Sequence, residues 1–285
     1  MVKLVLKIVL SDKIGFCFGV KKSVDLAKEF VEKSQDKVYM LGSIINNPQV
    51  LEYFTQNGVK VIDNLNEIPE NSIVITRAHG VSPLILQQAI QKRLNIIETT
   101  CPYVKKVHKI AEYLSRNNYF IVVFGDKAHP EISSLLDVIN HNALVINSDY
   151  EARKIDRKKK IGFLSQTTKN VHDFQKLSSI LLHNTDELRI FNTICKATSE
   201  RQGSVFKLAK QVNVMLVIGG SKSANTSRLA EICQNQGVKA YHIETKNQMK
   251  FEWFHPEDKV GIASGTSTPD YVISEIVKQL KAWYV

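Results

Sequence analysis

LNIIETTCPYVKKVHKIAEYLSR, residues 94–116, runs from an apolar, β-rich stretch through Cys101 into a segment whose apolar residues recur with helical spacing. Two more cysteines sit in the same setting. Cys17 follows LVLKIVL (4–10) and precedes VKKSVDLAKEFVEK (20–33), while Cys195 follows LRIFNTI (188–194) and precedes ATSERQGSVFKLAKQV (197–212). The three cysteines lie 84 and 94 residues apart in a chain of 285, close to the spacing that three similar units would impose.

The copies stay in step beyond the first helix. The next apolar strands are KVYMLG, YFIVVFG and VNVMLVIGG, which end 25, 24 and 25 residues past the local cysteine. After each come a short helix, a short strand and a third strand (SIVIT, KIGFLS, KVGIAS), which meets a polar junction: RAHGVSP, QTTKN or GTSTPD. Strands alternating with helices specify parallel α/β layers, so the expected fold class is α/β, three similar parallel-sheet domains in a pseudo-threefold trefoil. The expected lobes are residues 1–98, 99–190 and 191–285, carrying Cys17, Cys101 and Cys195. Ligands of open parallel sheets gather beyond the carboxyl ends of strands, where every polar junction lies. A chance likeness among generic α/β units is the alternative.

The composition, 44% hydrophobic and 23% charged, excludes disordered, collagenous and coiled-coil chains. No apolar run is long enough to span a bilayer, and the opening MVKLVLKIVL, broken by Lys3 and Lys7 with no small-residue cleavage site, reads as a first strand. A cytoplasmic protein with no membrane partner is expected. The net charge of +10 calls for an anionic partner: a phosphorylated small molecule, a nucleic acid or an acidic protein. Four cysteines are too few for a disulfide scaffold, which leaves reduced thiols, metal ligands or nucleophiles.

The dipole and open amides of a helix N-terminus favour a thiolate, and three such thiols make a metal site. Soft sulfur ligands take zinc or iron-sulfur clusters, and cysteines from distant segments lack the close pairing of a structural zinc site. The competing reading is three buried apolar cysteines. Cys233, without a counterpart in the other copies, is assigned to helix packing. The third-strand junctions supply His79, Thr167 and Ser267, which lie 62, 66 and 72 residues past their cysteines. The second-strand junctions supply Asn46-Asn47-Pro48, His129-Pro130-Glu131, and Ser223 with Asn225. These donors suit phosphate oxygens at helix N-termini, and Glu131 is the acid able to give a proton. The other six histidines, His108 among them, read as solvated or satisfied structural groups. RKIDRKKK (153–160) reads as a solvated face, since it has no aromatic residue for base stacking.

Taken in order, GFCFGVKK, RAHGV, TTCPYVKKVH, HPE, QTT, NTICKATSERQ, SANTSRL and GTSTPD resemble the 4-hydroxy-3-methylbut-2-enyl diphosphate reductase family over nearly the whole chain. The resemblance implies a three-lobed enzyme of the non-mevalonate isoprenoid pathway. It would carry one central 4Fe-4S cluster held by Cys17, Cys101 and Cys195, with one iron left open to substrate. It also implies Glu131 as proton donor and Thr167 as the group orienting it. His79, His129, Ser223, Asn225 and Ser267 would hold the diphosphate, with Ala224 contributing its backbone where some members have serine. The chain departs from the family at LGSIINNPQV (41–50), where Asn46 occupies the place of a diphosphate-binding histidine. An amide can donate to phosphate but cannot supply imidazolium charge, so substrate binding is expected to be weaker by about 1.5–3 kcal/mol with the chemistry kept. An acidic ferredoxin or flavodoxin is the expected electron donor. An altered paralogue, a basic metal-containing RNA-binding protein and a zinc hydrolase using Glu131 as base are the rival readings. Neither the RNA-binding protein nor the hydrolase requires the SxN, QTT and HPE groups together.

Overall fold

In the computed structural model, which describes residues 6–284, strands and helices alternate along the chain and form three parallel four-stranded sheets. The first sheet contains β2 (Val38–Leu41), β3 (Lys60–Ile62), β4 (Ile73–Ile75) and β5 (Asn95–Ile97), in the order β3-β2-β4-β5. The second contains β6 (Phe120–Phe124), β7 (Leu144–Ile146), β8 (Lys158–Ser165) and β9 (Thr185–Ile190), in the order β7-β6-β8-β9. The third contains β10 (Val214–Ile218), β11 (Lys239–Ile243) and β12 (Lys259–Ser264), and its fourth strand is β1 (Lys7–Leu10), giving β11-β10-β12-β1. The three orders are the same. In the third sheet the final position is filled by the start of the chain, with Lys7 opposite Lys259 and Leu10 opposite Ile262. Residues 7–10 therefore sit in the sheet of the last third, whereas sequence order grouped them with residues 1–98. Residues 1–5 of the opening run lie outside the described residues.

The helices are α1 (Phe18–Lys33), α2 (Pro48–Gln56), α3 (Pro83–Gln91), α4 (Pro102–Arg116), α5 (Pro130–Val138) and α6 (Asp149–Arg153). They continue with α7 (Val171–Leu182), α8 (Lys196–Ala209), α9 (Ala224–Asn235) and α10 (Asp270–Trp283). Helix α4 shows why these segments fold as they do. Cys101 stands at its N-cap and Pro102 at its first turn, and Val104, Val107, Ala111 and Leu114 make one buried stripe. The charge run 153–160 passes from the end of α6 through a short connection, in which Ile155 is buried, to the partly exposed start of β8. Among the described residues no helix is long and apolar enough to cross a membrane.

The chain divides into two compact units. One holds Lys21–Ile45 and Leu51–Cys195, with the first and second sheets; the other holds the residues through Val20, Asn46–Val50 and Lys196 onward, with the third. In the first unit, Val122, Phe124, Ile161 and Phe163 pack with α7 on one face of the second sheet, while Ile121, Val123 and Leu164 pack with α4 and α5 on the other. In the second unit, β10 is buried along its whole length, with Leu216 and Ile218 packed against α10 and Met215 and Val217 against α8 and α9. Cys233 lies in this last cluster, fully buried, and burial pushes its thiol up to about 12, so its packing role holds. Two-sided burial makes the β10 run continuously apolar rather than alternating.

Candidate functional site

Each repeated cysteine is fastened to the end of a neighbouring strand in the same way. Cys101 N–H donates to the Ala78 carbonyl at 3.0 Å, Cys195 N–H to Thr167 at 3.0 Å and Cys17 N–H to Thr266 at 3.1 Å. Two residues before each cysteine a second tie reaches the strand end. Thr99 gives its N–H to Thr76 Oγ1 (3.1 Å) and its hydroxyl to the Thr76 carbonyl (2.6 Å). Thr193 Oγ1 accepts from Ser165 N–H (2.7 Å) and donates to the Ser165 carbonyl (2.5 Å), and Gly15 N–H donates to Ser264 Oγ (2.8 Å).

These bonds set the register of the repeats. Ala78, Thr167 and Thr266 are equivalent, so the counterparts of His79 are Thr168 and Ser267. The polar junctions after the third strands grouped Thr167 with His79 and Ser267, one position away from the register that these bonds set. The sequence reading also missed Arg201 on α8, which is 3% exposed. Its Nη2 donates to the Gly15 carbonyl at 2.8 Å and its Nη1 to the Ser264 carbonyl at 2.7 Å, tying the loop before Cys17 to the end of β12. A single arginine in a helical run carries no local sign of partners so distant in sequence.

Within the unit holding the first two sheets, Glu131 and Thr167 come together. Glu131, in the first turn of α5, is 2% exposed. Its Oε1 accepts the Thr167 N–H at 2.7 Å, and its Oε2 lies 2.7 Å from Thr167 Oγ1. Burial pushes the carboxyl up to about 7, although both Thr167 bonds favour the charged form and oppose the shift. A carboxylic acid so placed keeps a sizeable protonated fraction at neutral pH and can exchange its proton there.

His129 caps the same helix. Its Nδ1 accepts the Glu131 N–H at 3.1 Å, which assigns the proton of the neutral ring to Nε2. The His79 ring stands edge-on to His129 with centroids 5.3 Å apart. Burial, with repulsion from His129 and Arg77, holds His79 down to about 3, and burial lowers His129 too. Both are neutral donors at pH 7, and an anion beside them would raise both. The loop that carries Thr167 is fixed by Lys169, which pairs with Asp126 at 2.5 Å and donates to Asn147 at 2.7 Å.

Within the other unit, a polar group forms around the N-terminus of α9. Ser223 Oγ caps it by accepting the Thr226 N–H at 3.3 Å. Asn225, 2% exposed, has neither side-chain oxygen nor nitrogen paired, and the Asn47 amide nitrogen is also without a partner. Buried polar atoms left unpaired are costly, so these mark a place for a hydrogen-bonding ligand. Asn47 Oδ1 caps α2 through Val50 N–H at 2.9 Å. Asn46 donates from Nδ2 to the Lys222 carbonyl at 3.3 Å, and its own carbonyl accepts from Ser267 Oγ at 3.5 Å. A Cβ at Gly220 would fall 2.5 Å from the Asn46 carbonyl oxygen, so only glycine at 220 lets the Asn46 backbone lie so close.

None of the four cysteines is disulfide-bonded, and Cys17 Sγ accepts the Val20 N–H at 3.5 Å, as expected at a helix start. Among the described residues no three His, Cys, Asp or Glu side chains are gathered closely enough to hold a metal ion. What the cysteines share is local geometry, and the donor type they offer is soft sulfur, fit for zinc or iron-sulfur ligation and not for hard cations.

The LytB protein family matches residues 8–281. A 4-hydroxy-3-methylbut-2-enyl diphosphate reductase of Geotalea uraniireducens is 40% identical over 276 residues, 97% of each chain. One of Caldanaerobacter subterraneus is 39% identical over 280 residues, again 97% of each. The fold is similar to the E-1-hydroxy-2-methyl-but-2-enyl-4-diphosphate reductase of Plasmodium falciparum, with a TM-score of 0.91 at 26% identity over 96% of this chain and 88% of that one. It is also similar to a structure of (E)-4-hydroxy-3-methyl-but-2-enyl diphosphate reductase, described as the terminal enzyme of the non-mevalonate pathway, with a TM-score of 0.71 at 39% identity over 97% of this chain and 99% of that one. With the family matching residues 8–281 and relatives about 40% identical over nearly the whole length of both chains, this chain belongs to the LytB family of 4-hydroxy-3-methylbut-2-enyl diphosphate reductases.

Proposed function

We propose that the chain reduces 4-hydroxy-3-methylbut-2-enyl diphosphate to isopentenyl diphosphate and dimethylallyl diphosphate. Two electrons and two protons enter, the allylic C–O bond breaks, a C–H bond forms and the oxygen leaves as water. The observation that carries this reading is Glu131, a buried carboxyl held by two Thr167 bonds and pushed up to about 7. Hydroxide is a poor leaving group, and a proton delivered from Oε2 to the departing oxygen turns it into water. Thr167 aims that proton and steadies the carboxylate left behind.

The proposed cluster ligands are Cys17, Cys101 and Cys195, hung beyond strands of the third, first and second sheets respectively, around one 4Fe-4S cluster with an open iron. Such a cluster, when bound, supplies the electrons and the Lewis acidity for breaking the C–O bond. The diphosphate is assigned to His79 and His129 as neutral donors, to Ser223, Asn225 and Ser267, and to the backbone at Ala224. The unpaired polar atoms of Asn225 support that assignment. An acidic ferredoxin or flavodoxin suits the net charge of +10 as electron donor. Cysteines without disulfides suit a reducing compartment, the cytoplasm.

The test is anaerobic turnover of the named substrate by reconstituted protein with a reduced viologen dye, with iron and sulfide measured on the same sample. Formation of both isoprenoid diphosphates is expected. An intact cluster without turnover would overturn the reading.

Asn46 adds a prediction of its own. Its amide is engaged with the Lys222 carbonyl, so it offers the diphosphate one spare N–H and no charge. Asn46→His is expected to lower KM roughly tenfold or more with little change in kcat, since a charge-assisted bond is worth about 1.5–3 kcal/mol. An unchanged KM would show that the neighbouring Asn47 amide already fills the role.

A further inference from the structure

Three residues after Glu131 on α5, Ser134 is 5% exposed and unusually crowded by polar partners. Its Oγ lies 3.0 Å from the His79 carbonyl, 3.1 Å from the Glu131 carbonyl and 3.2 Å from His108 Nε2. A hydroxyl has one hydrogen to give, and here both carbonyls compete for it. His108 must therefore be the donor, through Nε2–H, and Ser134 passes the polarity on to His79. The opposite tautomer would claim the serine hydrogen and leave both carbonyls without it. Burial holds His108 down to about 4, with Glu98 opposing, so at neutral pH the ring is uncharged and its tautomer is set by this bond. The backbone between is pressed against the pair. Gly80 has φ +98°, and a Cβ there would fall 2.7 Å from Ser134 Oγ and 2.9 Å from His108 Cε1.

The three elements come from different places. His79 follows β4 of the first sheet, whereas His108 on α4 and Ser134 on α5 pack on the second. The Ser134 hydroxyl ties the His79 carbonyl directly to the helix that carries Glu131.

We infer that His108 and Ser134 are positioning residues that fix His79 against the Glu131 helix and so set the affinity for the diphosphate through His79. This rests on the diphosphate reading above. Neither residue touches the reacting atoms, so their effect belongs to binding and not to the chemical step.

The experiment measures the affinity of reconstituted protein for inorganic pyrophosphate by calorimetry, alongside KM and kcat, in wild type, Ser134→Ala, His108→Phe, His79→Ala and the Ser134→Ala/His79→Ala pair. Ser134→Ala and His108→Phe are each expected to raise both the pyrophosphate Kd and KM roughly five- to tenfold, the range of one lost neutral hydrogen bond, with kcat within about twofold. Ser134→Thr and His108→Gln, which keep a hydroxyl and an N–H, should restore most of the affinity. Because the pair acts through His79, the double variant should bind no more weakly than His79→Ala alone. Wild-type affinity in Ser134→Ala and His108→Phe, or losses that simply add in the double variant, would overturn the inference while leaving the function standing. A wild type that does not bind pyrophosphate would overturn the diphosphate reading itself. If Ser134→Ala does not fold, His108→Phe set against His108→Gln carries the same test.

Discussion

Glu131→Gln is expected to lower turnover about a hundred- to ten-thousandfold, the usual worth of a positioned proton donor, without loss of bound iron or sulfide. The substitution keeps the shape and the bond from Thr167 N–H to the side-chain oxygen, while the Thr167 hydroxyl, which donates to Oε2 in the wild type, turns to accept from the amide nitrogen. Only the transferable proton goes. In the wild type the carboxyl sits at about 7, raised by burial from an ordinary 4.5. The rate should therefore fall as pH rises through about 7, as the acid form is lost. Stability follows the same proton. The native chain holds it more tightly than the unfolded chain, so stability is fully present below about 4.5 and declines as pH rises to about 7, by on the order of 3 kcal/mol. The glutamine variant carries no such titration. The melting temperature of Glu131→Gln relative to wild type should climb between pH 5 and 8, which a pair of thermal-melt series would read. Near-normal turnover would remove Glu131 from its role, and a constant melting difference would remove the burial argument.

Much of this site was legible because its residues repeat. Three cysteines at strand-to-helix steps declare three similar units, and the apolar runs VYML, FIVVF and VMLVI declare central strands buried on both faces. HPE and QTT carried Glu131 and Thr167 through the family resemblance, and the carboxyl-to-hydroxyl bond joins them. Three things were out of reach. The register of Thr167 was obscured because the copies differ in length and the QTT junction offers adjacent threonines, so that the bonds from the cysteine N–H groups were needed to tell Thr167 from Thr168. The place of β1 was obscured because its partner β12 is at the far end of the chain, and adjacency in sequence is the usual guide to pairing. Arg201, His108 and Ser134 were obscured because each is one polar residue among several on its helix, with nothing local to single it out. Its identity says that it needs partners, and only the folded chain says which.

Serine at Cys17, Cys101 or Cys195 is expected to cost most of the bound iron and sulfide and all turnover, each alone as much as all three together. A serine hydroxyl preserves size and the main-chain bonds to Thr266, Ala78 and Thr167, which involve only the cysteine N–H. It removes the soft sulfur donor on which cluster ligation depends. The local geometry argues for equal losses, because all three cysteines start a helix and hang from the same position beyond a strand end. Cys233→Ser is the internal contrast. Its thiol is fully buried among Val205, Leu229 and Ile232 on the α8 and α9 side of the third sheet and is pushed up to about 12. That variant should keep its iron and its activity and instead lose stability, by about 1–3 kcal/mol for a hydroxyl placed in apolar packing. Iron and sulfide analysis with thermal melts on the four variants separates the two kinds of cysteine. Full iron content and full activity in any one of the three repeat variants would break the ligand set, since a cluster with three thiolates cannot spare one of them.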